Sequence, residues 1–235
     1  MSKNLVAAII GVGPGIGLSV SRKFAKEGFK VALVSRNKSK LDGYLDDIKK
    51  EGGNGITVSM DTSDEKSVEQ GFKEISSQLG PIDVLVYNVS GFKYGPLHTL
   101  SAQDFENTWK SCCLGGFLTT KQVIPSMIDR KQGTILVTGA TASLRGGANF
   151  SAFASGKAAL RALSQSLARE LSPQGIHVAH VIIDGQVDIN RDYSTRPKDS
   201  FLNPDEIANN YFALYQQDKT TWTQELDLRP FTEKF

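Results

Sequence analysis

The residues best placed to do chemistry lie in Phe153-Ala154-Ser155-Gly156-Lys157. Phe153 and Lys157 are four positions apart, so on a helix they share one face. A lysine ammonium there can hydrogen-bond hydroxyls of a bound ligand, whereas the phenylalanine ring has no proton to give. Leu160, Leu163, Leu167 and Leu171 follow at helical spacing and predict a buried helix under the segment.

A second constellation is Gly11-Val12-Gly13-Pro14-Gly15-Ile16-Gly17, between the apolar run Leu5 to Ile10 and a helical pattern from about Leu18 to Glu27. Glycines at that junction permit a tight turn and close backbone approach, and a helix N-terminus offers unpaired N–H groups to a pyrophosphate. The G-x-G-x-x-G spacing fails because position 16 is Ile16; G-x-x-x-G-x-G on Gly11, Gly15 and Gly17 fits. After the second strand the chain reads Ser35-Arg36, where an acidic residue would hold the ribose 2′-hydroxyl of NAD. A guanidinium matches a 2′-phosphate instead, which favours NADP(H) over NAD(H); the other reading of Arg36 is a solvated surface residue.

The elements that must position these groups alternate. Apolar runs at 5–10, 31–34, 56–58, 84–86, 134–137 and 178–183 read as strands covered on both faces. Helical patterns lie between them, at 41–50, from Asp64 to Leu79, at about 102–129 with Pro125 bending or ending it, and under the opening segment. Asn203-Pro204-Asp205-Glu206 is a further helix start. Short connections and no Pro/Ser-rich linker predict one domain over 1–235, a doubly wound parallel α/β sheet of Rossmann type with about seven strands. The segment 186–202, rich in Asp, Arg, Ser and Thr after a strand's end, is where substrate contacts are expected.

Composition narrows the function classes. Lys plus Arg number 27 against 25 Asp plus Glu, a surplus too small to argue for a nucleic-acid or membrane-surface partner. The two cysteines, Cys112 and Cys113, are adjacent, and His98, His177 and His180 are scattered, so neither a disulfide framework nor a metal site is expected. The Met1-Ser2-Lys3-Asn4 start, the Glu233-Lys234-Phe235 end and the lack of a bilayer-length apolar run give the expectation of a cytoplasmic protein.

The Phe153-x-x-x-Lys157 frame resembles the Tyr-x-x-x-Lys signature of the short-chain dehydrogenase/reductase family, with phenylalanine for tyrosine. The similarity runs from Leu5 to about Pro230 and includes the glycine spacing. It implies that Asp61 contacts the adenine amino group and that Asn88, in Tyr87-Asn88-Val89-Ser90-Gly91, is the asparagine of an eroded Asn-Asn-Ala-Gly motif. In the family the tyrosine protonates a carbonyl, the lysine lowers its pKa and holds the nicotinamide ribose, a serine polarises the carbonyl, and an asparagine anchors a water relay. Lys157 is retained, while Phe153, Ala140 and Cys112 fall at the tyrosine, serine and asparagine positions, and Asp184-Gly185 stands where the family has Pro-Gly. The tail from Trp222 to Pro230 resembles an atypical subgroup with the same Phe-x-x-x-Lys substitution.

Loss of the general acid alone removes roughly 10²–10⁴ in rate, so the usual carbonyl reduction is not expected. Three readings remain: an NADP(H)-dependent oxidoreductase with a displaced proton donor, a dinucleotide-binding sensor or partner subunit without catalysis, or a purely structural scaffold that binds no dinucleotide. Tyr94 and Tyr193 are candidate donors, and Ser143, Thr138 and Thr141 can replace the lost hydroxyl or cap the turn after the fifth strand. The resemblance also implies a homodimer or homotetramer paired through long helices, with Gly115, Gly116, Ala154, Ala158 and Ala162 allowing close approach.

Overall fold

Five successive apolar residues make β1 (Val6–Ile10), and all five are buried because the strand lies inside a sheet covered on both faces. The computed structural model describes residues 4–233, so the terminal readings at Met1-Ser2-Lys3 and Lys234-Phe235 lie outside it. Seven strands form one sheet in the order β3-β2-β1-β4-β5-β6-β7, with every neighbouring pair parallel. These are β1, β2 (Lys30–Ser35), β3 (Asn54–Ser59), β4 (Val84–Tyr87), β5 (Gly133–Thr138), β6 (Ile176–Ile183) and β7 (Glu225–Leu228). The order reverses between β1 and β4, and the crevice at such a switch point, at the carboxyl ends of the strands, is where ligands bind in open α/β sheets.

Each strand alternates its side chains between two cores. On one face Ala8, Ile10, Leu85 and Ile135 meet Phe72 and Ile75 of α3 (Glu65–Leu79), Leu118 and Met127 of α5 (Gly115–Arg130) and Leu160, Leu167 and Leu171 of α6 (Ser151–Leu171). On the other, Ala7, Ile9, Leu33 and Val181 meet Phe24 of α1 (Ile16–Lys26), Leu41, Leu45 and Ile48 of α2 (Lys38–Lys50) and Tyr211 of α7 (Pro204–Gln216). The leucine run predicted under Lys157 is buried as expected, with Leu163 at its half-buried margin.

Three local expectations need correction. α2 starts at Lys38 rather than Leu41, because Asn37 accepts the Lys40 N–H and caps it three residues early. Pro125 lies within α5 and so does not end it; the long helix runs from α4 (Ala102–Trp109) to α5 as expected, but is widened by a π-turn at Lys110–Leu114. Gly115 and Gly116 do not offer a surface for another subunit. A Cβ on Gly115 would lie 2.4 Å from the Tyr87 hydroxyl, and one on Gly116 would lie 2.7 Å from Leu160 Cδ1, so both glycines make room inside this chain.

No helix of the described residues is long and apolar enough to cross a membrane. The Asn203 cap is present, with its Oδ1 accepting the Asp205 N–H at 2.9 Å ahead of Pro204. Asn203→Ala should therefore lower stability by about 1 kcal/mol, read as a lower urea midpoint with an unchanged slope.

Candidate active site

The glycine loop closes the amino end of the crevice. Gly11 has φ +94°, and a Cβ there would lie 2.8 Å from the backbone of Asn88 and Val89. A Cβ on Gly17 would lie 2.6 Å from the Gly11 carbonyl oxygen, so β1, α1 and the β4 end are held too close for side chains. Asn88 locks the arrangement by donating its Nδ2 to the Gly11 carbonyl at 3.0 Å. Gly15 caps α1 without any side-chain bond; the Leu18 N–H is met by the Gly13 carbonyl at 3.1 Å, and the Ile16 and Gly17 N–H groups ahead of it are left for a ligand. Ile16 opens that helix and packs into the core below it.

A cleft of about 350 Å³ adjoins the loop and is lined by Gly11, Ser35, Arg36, Asp61, Asn88 and Ser111, among others. Arg36 is exposed at its rim. Asp61 accepts from the Ser63 hydroxyl at 2.7 Å and the Ser63 N–H at 2.9 Å, and these bonds, helped by the Arg36 charge, hold its carboxyl below the usual carboxylate range. Of the predicted cofactor residues, Gly11, Ser35, Arg36, Asp61 and Asn88 thus share one cleft, while Gly15, Ile16, Gly17 and Lys157 lie outside its lining. A glycine-tightened turn, an uncapped helix N-terminus and a guanidinium beside an acid fit a dinucleotide bearing a 2′-phosphate.

Lys157 stands further along the same edge. It is 2% exposed, and its Nζ donates to the Thr138 carbonyl at 2.9 Å and to the Val89 carbonyl at 3.5 Å. The ammonium therefore bridges the ends of β4 and β5, and burial pulls its pKa below the ordinary lysine value.

Phe153, Cys112 and Ala140, which the resemblance aligns with the family's tyrosine, asparagine and serine, make packing and turn contacts. Phe153 stands edge-on to Phe92, with centroids 5.3 Å apart; Phe92 meets Phe150 at 6.0 Å and Phe150 meets Tyr94 at 4.9 Å. Position 153 is thus part of an aromatic wall. Cys112 is fully buried in the π-turn, and a Cβ on Gly156 would lie 2.8 Å from its Cβ, so the thiol fills the crossing of that turn with α6. Ala140 donates its N–H to Ser143 Oγ at 3.1 Å in a tight turn.

The candidate hydroxyls separate. Ser143 accepts the Ala140 N–H in that turn and is buried, and Thr138 Oγ1 bonds the Tyr211 hydroxyl at 2.7 Å inside the fold. Tyr94 accepts from Asn149 Nδ2 at 3.2 Å, and Tyr193 donates to both Asp188 carboxylate oxygens, at 2.8 and 2.9 Å. Thr141 donates to the buried Asp184 carboxylate.

Two features escaped the sequence reading. Tyr87, buried on β4, donates its hydroxyl to the Ser111 carbonyl at 2.6 Å and so fastens the π-turn to the sheet. Behind Lys157, His180 of β6 bonds through Nδ1 to Glu225 Oε2 at 3.1 Å, and Arg161 grips Glu225 at 2.6 and 2.7 Å. Arg161 falls one helical turn after Lys157, and that spacing was a signal that one face of α6 carries both cations.

A seven-stranded parallel sheet with helices on both faces and a glycine cradle at its switch point defines a doubly wound, Rossmann-like α/β protein. A family model described as short chain dehydrogenase matches residues 5–195, and the chain belongs to that family. A short-chain dehydrogenase from Rhodopseudomonas palustris has 37% identity, covers 97% of this chain and 100% of its own, and superposes with a TM-score of 0.86. An alcohol dehydrogenase from Thermococcus sibiricus, solved with 5-hydroxy-NADP, has 28% identity over 98% of each chain and a TM-score of 0.88. A short chain dehydrogenase of Pseudocercospora fijiensis is 34% identical over 72% of this chain, and the match spans only 56% of that protein's length.

Burial depresses the His180 pKa to about 4, from 6.5, while Glu225 pulls it the other way. Folded His180 stays neutral where the unfolded chain takes up a proton, so its contribution is full above pH 6.5 and falls as pH drops toward 4. The loss is on the order of 3 kcal/mol. His180→Leu should flatten this acid limb, read as melting temperature against pH.

Proposed function

We propose that this chain is an NADP(H)-dependent oxidoreductase of the short-chain dehydrogenase family in which the residue at position 153 is not the proton-transfer group. The observation that carries the reading is that Arg36, Asp61, Asn88 and the glycine loop line one cleft, with the buried Lys157 ammonium at the same strand ends. Arg36 supplies the charge for a 2′-phosphate, and the Thermococcus sibiricus relative, solved with an NADP derivative, supports that choice. When bound, such a cofactor supplies hydride exchange with a substrate carbon. The chain's part is to seat it: backbone N–H groups of α1 at the pyrophosphate, Asp61 at the adenine, and Lys157 at the nicotinamide ribose through the proton its carbonyl partners leave free.

A second reading, a dinucleotide sensor or partner subunit without turnover, is favoured by Phe153, Ala140 and Cys112. Calorimetry separates the two readings from a third, a scaffold that binds nothing. The oxidoreductase reading expects NADPH to bind more tightly than NADH. Arg36→Glu should lose NADPH affinity by about tenfold or more and reverse the preference; equal affinities before and after would reject Arg36 as the discriminating residue. Phe153→Tyr with Ala140→Ser should add NADPH-dependent reduction of aryl ketones to the chain. A double variant that binds NADPH and stays inert would show that ketones do not reach this edge of the cleft.

A further inference from the structure

The contact between Thr141 and Asp184 carries a further inference, which rests on the oxidoreductase reading. Thr141 is half-buried and immediately follows Ala140, the residue at the family's serine position. Its hydroxyl donates to Asp184 Oδ1, and Asp184 is only 4% exposed. The other carboxylate oxygen faces Arg229 Nη1 at 3.4 Å, and the Asp184 N–H is tied to the Leu228 carbonyl at 2.8 Å. A hydroxyl whose proton is committed to a carboxylate has only lone pairs left to offer, so it accepts from a ligand O–H and cannot donate to a carbonyl.

The pair lies on the cofactor edge. Thr141 and Asp184 follow the carboxyl ends of β5 and β6, and from Asp184 the chain runs through Gly185 and Val187 to Ile189. Ile189 Cδ1 comes within 2.5 Å of where a Cβ on Gly15 would be, so this segment lies directly over the phosphate loop. The strand order β1-β4-β5-β6 separates the loop from Asp184 by three strand spacings, about 14 Å. Of the other hydroxyls near these ends, Thr138 bonds the Tyr211 hydroxyl and Ser143 accepts the Ala140 N–H, and both are buried, whereas Thr141 is half-buried.

We propose that Thr141 is a catalytic residue that accepts the hydroxyl proton of a secondary alcohol while its own proton passes to Asp184. The geometry thereby favours alcohol oxidation. The carbinol C–H bond breaks with its electron pair leaving as hydride to the oxidised dinucleotide. The O–H electron pair becomes the second bond of the ketone, and the proton moves through Thr141 Oγ1 to the Asp184 carboxylate and from there to solvent. Phe150 and Phe153 at the start of α6 pack against the exposed Phe92, an aromatic surface that suits an apolar alcohol.

The test uses full-length protein, NADP+, three apolar alcohols (1-phenylethanol, 1-tetralol, cyclohexanol) and their ketones. Calorimetry on the NADP+-loaded protein should show an alcohol binding roughly tenfold more tightly than its ketone. Thr141→Val should abolish that preference with NADP+ affinity unchanged and cut kcat for NADPH formation about 100-fold. Thr141→Ser should restore both, and Asp184→Asn should lower kcat without restoring ketone binding. Wild-type protein that binds NADP+ but neither prefers nor oxidises any of the alcohols overturns the relay, as does a Thr141→Val variant that keeps preference and rate. Wild-type protein that fails to bind NADP+ at all overturns the oxidoreductase reading itself, and the relay with it.

Discussion

The buried ammonium of Lys157, held between the carbonyls of Val89 and Thr138, is the contact on which the site depends. A buried charge is tolerated only where it is hydrogen-bonded, and these two carbonyls belong to neighbouring strand ends. The lysine therefore fixes the spacing of β4 and β5 at the crevice. On the β1 side the same task falls to Asn88, whose amide ties the β4 end to the glycine loop. Cofactor cradle and lysine are thus parts of one edge, each registered on β4.

Phe153 and Cys112, which the resemblance aligns with the family's tyrosine and asparagine, serve packing in this chain. Phe153 completes an aromatic wall, and Cys112 lets α6 pass close to the π-turn, whose Ser111 carbonyl is claimed by Tyr87. Both side chains pack where they stand, so this edge keeps its shape with no hydroxyl at position 153. The proton relay we propose falls to the next residue along, Thr141, whose hydroxyl is bonded to the buried Asp184 carboxylate.

The fold was legible because its signals are local. Continuous apolar runs marked six of the seven strands, and Asp64 and Asn203 marked helix starts where their side chains indeed cap. The cofactor cleft was legible for the same reason, since Gly11, Arg36, Asp61 and Asn88 each follow a strand and strand ends converge. Pairings across the sheet were not legible. Nothing in the sequence near Tyr87 points to Ser111, and His180 inside an apolar strand gives no sign of Glu225, which lies 45 residues away. The π-turn escaped because Pro125 was the more conspicuous helix breaker, although the helix tolerates it. Thr141 stood out only as one of three hydroxyls, and burial was needed to separate them.

We propose that Lys157 and the glycine loop together hold one dinucleotide across the β1, β4 and β5 ends. A crystal structure with NADP+ tests it most directly. The account predicts the 2′-phosphate on Arg36, the pyrophosphate on the first turn of α1, and Lys157 Nζ within hydrogen-bond distance of the nicotinamide ribose. A dinucleotide seated away from the glycine loop, or a Lys157 Nζ still bonded only to the Val89 and Thr138 carbonyls with the ribose elsewhere, would contradict it.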